Sequence, residues 1–163
     1  MVWQVSKDFP GPEGGWLWIE TETEKRAPKL PARRTARLTV LEGKANRTEL
    51  PLSKARINIG RTVTVYRNEG LSRRNDMAFT EETDVNRTVS REHAHIEYHE
   101  ATGEYRIYND RWYKRNEKGE GSCGIWIVRD GLSREVHRSD RGTRLRSGDE
   151  IHLGKAVLRF AVK

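Results

Sequence analysis

From Thr35 to the C-terminus, apolar and polar residues alternate with a period of two. Leu38 and Val40 stand between polar neighbours, as do Ile57 and Ile59. Ala94, Ile96 and Tyr98 form one face of a run whose other face is His93, His95, Glu97 and His99. Tyr105 and Ile107 resume the pattern past the turn Ala101-Thr102-Gly103. Ile125 and Ile127, Ile151 and Leu153, then Ala156, Leu158, Phe160 and Val162 carry it to the end. Such alternation marks strands with one face in a core and the other toward solvent. Short strands separated by Gly, Asn and Asp turns predict an all-β domain, an antiparallel β-sandwich of two sheets. Arg129-Asp130-Gly131 reads as a tight hairpin between 125–128 and 133–137, and Gly148-Asp149 and Gly154-Lys155 close the last hairpins. No segment carries a sustained helical stripe. Residues 67–89 and 110–121 are charged with little alternation, and are predicted as long loops leading into Ser90 and Ser122. In sandwiches, binding chemistry sits on loops at one end of a rigid scaffold.

Residues 1–34 break this pattern. Four of the five prolines lie there, with Gly11, Gly14, Gly15 and the acidic run Glu20-Thr21-Glu22-Thr23-Glu24. That density predicts an extended N-terminal tail or linker over 1–34 and a folded domain over 35–163. Trp16-Leu17-Trp18-Ile19 is too apolar for a plain spacer and suits docking as a loose strand.

Composition narrows the class. At 163 residues the chain is long enough for one domain with a real core. A hydrophobic fraction of 34% beside a charged fraction of 34% fits thin sheets with polar loops. The formal charge of +7, from 31 basic and 24 acidic side chains, favours acidic partners: nucleic acid, anionic lipid or a phosphorylated peptide. No apolar run approaches membrane-spanning length, no leader-like start is present, and a single cysteine excludes an internal disulfide framework. The expected location is the cytoplasm. Asn46-Arg47-Thr48 and Asn86-Arg87-Thr88 match a glycosylation pattern that this location makes a coincidence.

Candidate chemistry sits at the strand ends. Ile59-Gly60-Arg61 closes one strand, and Val89-Ser90-Arg91-Glu92-His93-Ala94-His95-Ile96 opens another. An arginine fork and a serine hydroxyl suit the capture of a phosphate. With Gly121-Ser122-Cys123-Gly124-Ile125 and Ser147-Gly148-Asp149-Glu150-Ile151-His152-Leu153-Gly154 following in order, the chain resembles the forkhead-associated (FHA) domain, a phosphothreonine-peptide reader. The resemblance spans roughly 35–163. It implies an FHA/SMAD-like β-sandwich that binds phosphothreonine segments in Ser/Thr kinase signalling, without enzymatic activity, cofactor or metal. By the same resemblance Arg61 contacts the phosphate, Ser90 donates its hydroxyl, and Arg91 adds a second cation at a variable position. Ser122 and Cys123 lie in the row that grips the peptide, while Gly60, His93 and Gly124 support the site, His93 by bracing a loop from behind.

The pattern is broken at one place. Cys123 stands where many FHA domains have an asparagine that grips the peptide backbone, and Ile125 where they have a threonine. A thiol is a poor substitute for a carboxamide, and losing one or two such bonds costs roughly 1–3 kcal/mol. Asn109 and Asn116 are the candidates to replace it. Placing Asp140-Arg141-Gly142-Thr143 in that row instead leaves no room for a hairpin before Gly148.

The expected partner is a phosphothreonine-containing protein or peptide, with the chain's own tail, phosphorylated at Thr21 or Thr23, as a second candidate. Two other readings stand beside this one. The fold can persist as an interaction module with a degenerate phosphate site. Alternatively, Arg111-Trp112-Tyr113-Lys114-Arg115 interleaves bases with aromatics in the manner of single-strand nucleic-acid platforms. An enzyme is disfavoured: Ser90 and His93 have no nucleophile turn, acid partner or Gly-rich phosphate loop beside them. His93 and His95 share a strand face but lack further ligands at metal-binding spacing.

Overall fold

The computed structural model describes residues 35–111 and 124–163. The tail over 1–34, with Thr21, Thr23 and Trp16–Ile19, lies outside those residues, as do Trp112–Arg115, Asn116, Ser122 and Cys123. Apart from one four-residue helix, the regular structure of the described residues is all strand. Its elements are β1 (Ala36–Glu42), β2 (Glu49–Pro51), β3 (Arg56–Gly60), β4 (Thr64–Arg67), β5 (Gly70–Arg74), β6 (Met77–Ala78), α1 (Asp84–Arg87), β7 (Ala94–His99), β8 (Glu104–Asn109), β9 (Ile125–Arg129), β10 (Leu132–Glu135), β11 (Thr143–Arg144), β12 (Glu150–Leu153) and β13 (Ala156–Val162).

Two large sheets form. One runs β10-β9-β12-β13-β1-β2, the other β11-β8-β7-β3-β6, and β4-β5 stand apart as a two-stranded ribbon. Pairing is antiparallel except between β3 and β6, which run parallel. The period-two residues of the sequence meet across each sheet. Ile57, Ile96 and Ile107 are cross-strand neighbours in one sheet, and Ile127, Ile151 and Leu158 in the other. All six are buried, with Leu38 and Phe160 paired beside them. Tyr105 and Phe160 pack with tilted rings 5.5 Å apart. Burying each such side chain contributes about 1.5–3 kcal/mol, so the alternating faces are the main source of stability.

The predicted hairpin is present, with Arg129 opposite Leu132 and positive φ at Asp130 (52°) and Gly131 (76°). That pair of angles is the twist-matched two-residue turn. Its return strand ends at Glu135 rather than His137. Beneath it the carboxylate of Asp149, 1% exposed, receives Arg129 Nε at 2.7 Å, Arg129 Nη2 at 2.6 Å and the Arg146 N–H at 2.8 Å. Hydrogen bonding to Asp149 pushes the Arg129 pKa up, against the opposing effect of burial.

The segment 67–89 differs from expectation. It is not a loop but holds the second strand of the β4–β5 ribbon, the short β6 and the single turn of α1. The ribbon's residues are largely exposed, with Val65 alone buried, so only the short alternation of Val63 and Val65 marks it. It is held by pairing of its own two strands and by side-chain bonds from its return arm. Among the described residues no helix is long and apolar enough to cross a membrane.

Candidate functional site

Two turns meet at one end of the five-stranded sheet. The first leaves β3 at Gly60-Arg61, and the second follows α1 and enters β7 through Ser90, Arg91 and Glu92. Their backbones touch: the Arg61 N–H donates to Ser90 O at 3.0 Å, and the His93 N–H to Ile59 O at 3.1 Å. A Cβ on Gly60 would lie 1.9 Å from the Arg91 carbonyl oxygen. Only glycine lets the turns approach this closely.

The turns are clamped from three sides. His93, fully buried, accepts the Ser90 N–H at Nδ1 (3.0 Å) and lies 3.3 Å from Gly124 O through Nε2. A ring that accepts at Nδ1 and donates at Nε2 is the neutral tautomer. It ties the Ser90 turn to the start of β9, the bracing position inferred for it. The same Gly124 carbonyl also receives the Gly154 N–H. From the far side, Asn75, 4% exposed, donates its side-chain amide to Thr62 O at 2.6 Å and Arg91 O at 2.8 Å, one carbonyl from each turn. Arg73 completes the clamp. Its Nη2 reaches Ile59 O at 3.0 Å and Ala94 O at 2.9 Å, its Nε reaches Asn75 Oδ1 at 3.0 Å, and its Nη1 pairs with Asp110 at 2.7 Å. A buried amide with both donors used, or a guanidinium with four of its donors used, is costly to remove, because each carbonyl it serves is left unpaired.

The third clamp is α1. Thr83 caps it by accepting the Asn86 N–H. Asn86, 1% exposed, exchanges bonds with Lys44 N and O and donates to Glu81 O. Thr88 Oγ1 then receives the Lys155 N–H at 2.8 Å, against Gly154 with its φ of +63°.

These constraints open a surface cleft of about 400 Å³ lined by Arg61, Val65, Tyr66, Arg67, Arg87–Glu92 and Asp110. Arg61, Ser90 and Arg91 thus share one cleft, although 26 or more residues separate the two turns in sequence. Four arginines line it against two acids, and those acids are committed. Glu92 pairs with Arg67 at 2.7 Å, and Asp110 with Arg73 and with His95 Nδ1 at 2.8 Å. Burial pushes the Asp110 carboxyl up, but hydrogen bonds from His95 and Arg73, with their charges, outweigh it and hold the carboxyl below its usual value. Arg87 pairs with Asp84 at 3.2 Å. Among the described residues, neither the Arg61 nor the Arg91 guanidinium has a carboxylate partner. The Arg61 Nη1 rests 3.4 Å from the Arg87 carbonyl that ends α1.

One contributor escaped the sequence reading. Arg111 Nε donates to Ser90 Oγ at 3.0 Å, adding a cation beside the serine that the spacing of residues gave no means to place. Asn109, a candidate to replace the missing carboxamide, is instead committed: its Nδ2 donates to Val136 O at 3.0 Å and its Oδ1 accepts the Arg111 N–H at 2.9 Å. His95 also differs from its expected solvent-facing place. It is 8% exposed, stacked on Tyr108 with centroids 4.6 Å apart. His93 and His95 therefore serve different partners, and the described residues hold no group of three metal-ligating side chains.

No curated protein matches the sequence. Among solved structures, an FHA domain of an Arabidopsis thaliana hypothetical protein superposes with a TM-score of 0.53 at 18% identity, covering 85% of this chain and 93% of that one. Full-length yeast Pml1p superposes at 0.50, also 18% identical, covering 81% and 84%. These likenesses concern the fold. The sequence profile of the FHA domain matches residues 57–154, a span that runs from β3 through both turns to the Gly154 contact. With the clamped turns and the sandwich beneath them, the chain belongs to the FHA domain family.

Proposed function

We propose that this chain is a phosphothreonine-dependent binding module of Ser/Thr kinase signalling, holding the phosphate between Arg61, Arg91 and the Ser90 hydroxyl. The family is one of phosphopeptide-binding modules rather than enzymes. The observation that carries the finer reading is the pair of guanidiniums in one cleft that have no carboxylate partner among the described residues. Two positive charges match a ligand group carrying about −1.5 to −2. Ser90 Oγ, with Arg111 donating to it, has its own hydrogen left to donate to a phosphate oxygen. Each charge-assisted bond contributes about 1.5–3 kcal/mol.

Threonine over serine is a matter of one methyl group, about 0.8 kcal/mol when buried. Val65 and Val89, both buried, line the same cleft and supply apolar wall for it. Cys123 in the usual asparagine position, with Asn109 committed elsewhere, places the affinity at the weak end, in the micromolar class of Arg-cluster phosphopeptide readers.

A phosphothreonine-oriented peptide library, run against the wild-type chain and Arg61→Ala, tests this reading. Selective retention by the wild type alone supports it. Equal retention by both, or indifference to dephosphorylation of the library, removes it and leaves an FHA fold with a degenerate site.

A further inference from the structure

A second basic surface lies on the other arm of the β4–β5 ribbon, and it shares no lining residue with the phosphate cleft. It is a groove of about 1080 Å³ between that ribbon and the β2–β3 segment, lined by Arg47, Lys54, Arg56, Arg73, Arg74 and Asp76 among its charged groups. Five cations therefore face one carboxylate. That carboxylate is already committed: Asp76 accepts the Asn58 N–H at 2.8 Å and pairs with Lys54. Arg73 is turned inward to the clamp. Arg56 reaches Glu97 only at 3.9 Å, with both side chains substantially exposed. Arg47 and Arg74 have no acidic partner among the described residues.

Packing three guanidiniums along one concave wall raises their mutual repulsion, and a concave wall focuses the field on whatever enters. An anionic occupant relieves both. Its class follows from the rest of the lining. Among the described residues the groove is lined by no aromatic side chain, whereas single-stranded nucleic acid is gripped by stacking its bases on aromatics. What the groove offers instead is an apolar rim, Val63 at 44% and Leu71 at 50% exposed. Asn46, Ser53 and Ser72 add short polar groups along it.

We propose that this groove is a docking surface for an acidic segment of a partner protein, one in which carboxylates alternate with apolar side chains. The carboxylates meet Arg47, Arg56 and Arg74, and the apolar residues lie on Val63 and Leu71. The surface acts independently of phosphorylation. A phosphoprotein that carries both an acidic stretch and a phosphothreonine gains a second point of attachment, and linked sites multiply affinity when one chain spans both.

The test uses the full 163-residue chain and an unphosphorylated fluorescent peptide of alternating Glu and Leu. Anisotropy gives the affinity, and amide chemical shifts locate the peptide. The expected result is saturable binding that shifts amides of residues 46–58 and 71–76 and leaves Ser90 unmoved. Arg47→Glu with Arg74→Glu should weaken it at least about tenfold while leaving phosphothreonine-peptide binding unchanged. Both residues are exposed, and the neutral pair Arg47→Gln with Arg74→Gln gives an intermediate loss should charge reversal disturb folding. Three results overturn the proposal: no binding of the peptide, shifts confined to the cleft around Arg61 and Ser90, or preferential binding of a single-stranded oligonucleotide at the groove.

Discussion

The cleft proposed to hold phosphate and the groove beyond the ribbon are both lined by arginines, yet they are built in opposite ways. In the cleft, the residues that present charge sit on two turns locked by buried groups: Gly60, Asn75, His93 and Arg73 fix every backbone link between them. In the groove, Arg73 is turned into the clamp and Lys54 is paired with Asp76, while Arg47 and Arg74 stand exposed with no acidic partner among the described residues. The first arrangement has its ordering entropy settled during folding, and the second must order its side chains when a ligand arrives. A preorganised site discriminates geometry. A diffuse one discriminates charge.

That contrast is open to direct attack. The largest effect is expected from Gly60→Ala. The added methyl meets the Arg91 carbonyl at 1.9 Å, so the turns must part. Thermal unfolding should show a loss of about 3 kcal/mol, the upper end for overpacking, and phosphopeptide binding should vanish while the groove keeps its acidic peptide. Retained binding at the cleft would mean the close approach is not what organises it.

Arg61→Ala comes next. It removes a charge-assisted bond worth about 1.5–3 kcal/mol, a loss of about tenfold to 150-fold in phosphothreonine-peptide affinity by titration calorimetry. Because Arg61 is half-exposed and its guanidinium makes only the long contact to Arg87 O, the melting temperature should scarcely change.

Asn75 does not itself line the cleft and reaches it only through backbone carbonyls of the two turns, so any effect of Asn75→Ala on binding must pass through the turns. It strands the Thr62 and Arg91 carbonyls and costs about 1–3 kcal/mol of stability. Phosphopeptide affinity should fall together with hydrogen-exchange protection of the Arg61 amide, whose bond to Ser90 O the clamp maintains. Combining it with Arg61→Ala should give less than the sum of the two losses, since both act through the placement of one side chain. Strict additivity would assign Asn75 to general stability alone.

The smallest effect is one of pH. Asp110 is held below its usual carboxylate value by His95 and Arg73. Its contribution to stability is therefore complete above the unfolded carboxylate range, and it fades as pH falls through the lower folded value. Acid titration should loosen Arg73 and then the cleft, while Arg47, Arg56 and Arg74 of the groove, which make no bond to Asp110, should respond less. Asp110→Asn should remove this acid-dependent step from the unfolding curve.

How much of this could be read before the fold was known depends on where each residue draws its partners. Leu38, Ile57, Ile59, Ile96, Ile107 and Phe160 declared themselves by alternation, because a strand's two faces alternate whatever lies beyond them. Gly60, Arg61, Ser90, Arg91 and His93 were legible as a family pattern carried on short, contiguous motifs. The β4–β5 ribbon was hidden because it is short and mostly exposed, with Val65 its single buried residue. It is held by the buried ends of Arg73 and Asn75, whose carbonyl partners lie 13 to 21 residues away.

Local pattern, then, settled the strands and the sandwich class, and pointed to Arg61, Ser90 and Arg91, which the fold brings to one cleft. Those properties depend on side-chain period and on short motifs that any strand or turn displays. Tertiary packing alone decided that His95 is covered, that Asn109 is already spent on Val136, that Arg111 stands beside Ser90, and that two basic surfaces rather than one flank the ribbon. Burial and pairing are set by what a distant part of the chain lays over a residue, and charge in the sequence carries no record of which carboxylates are near enough to cancel it.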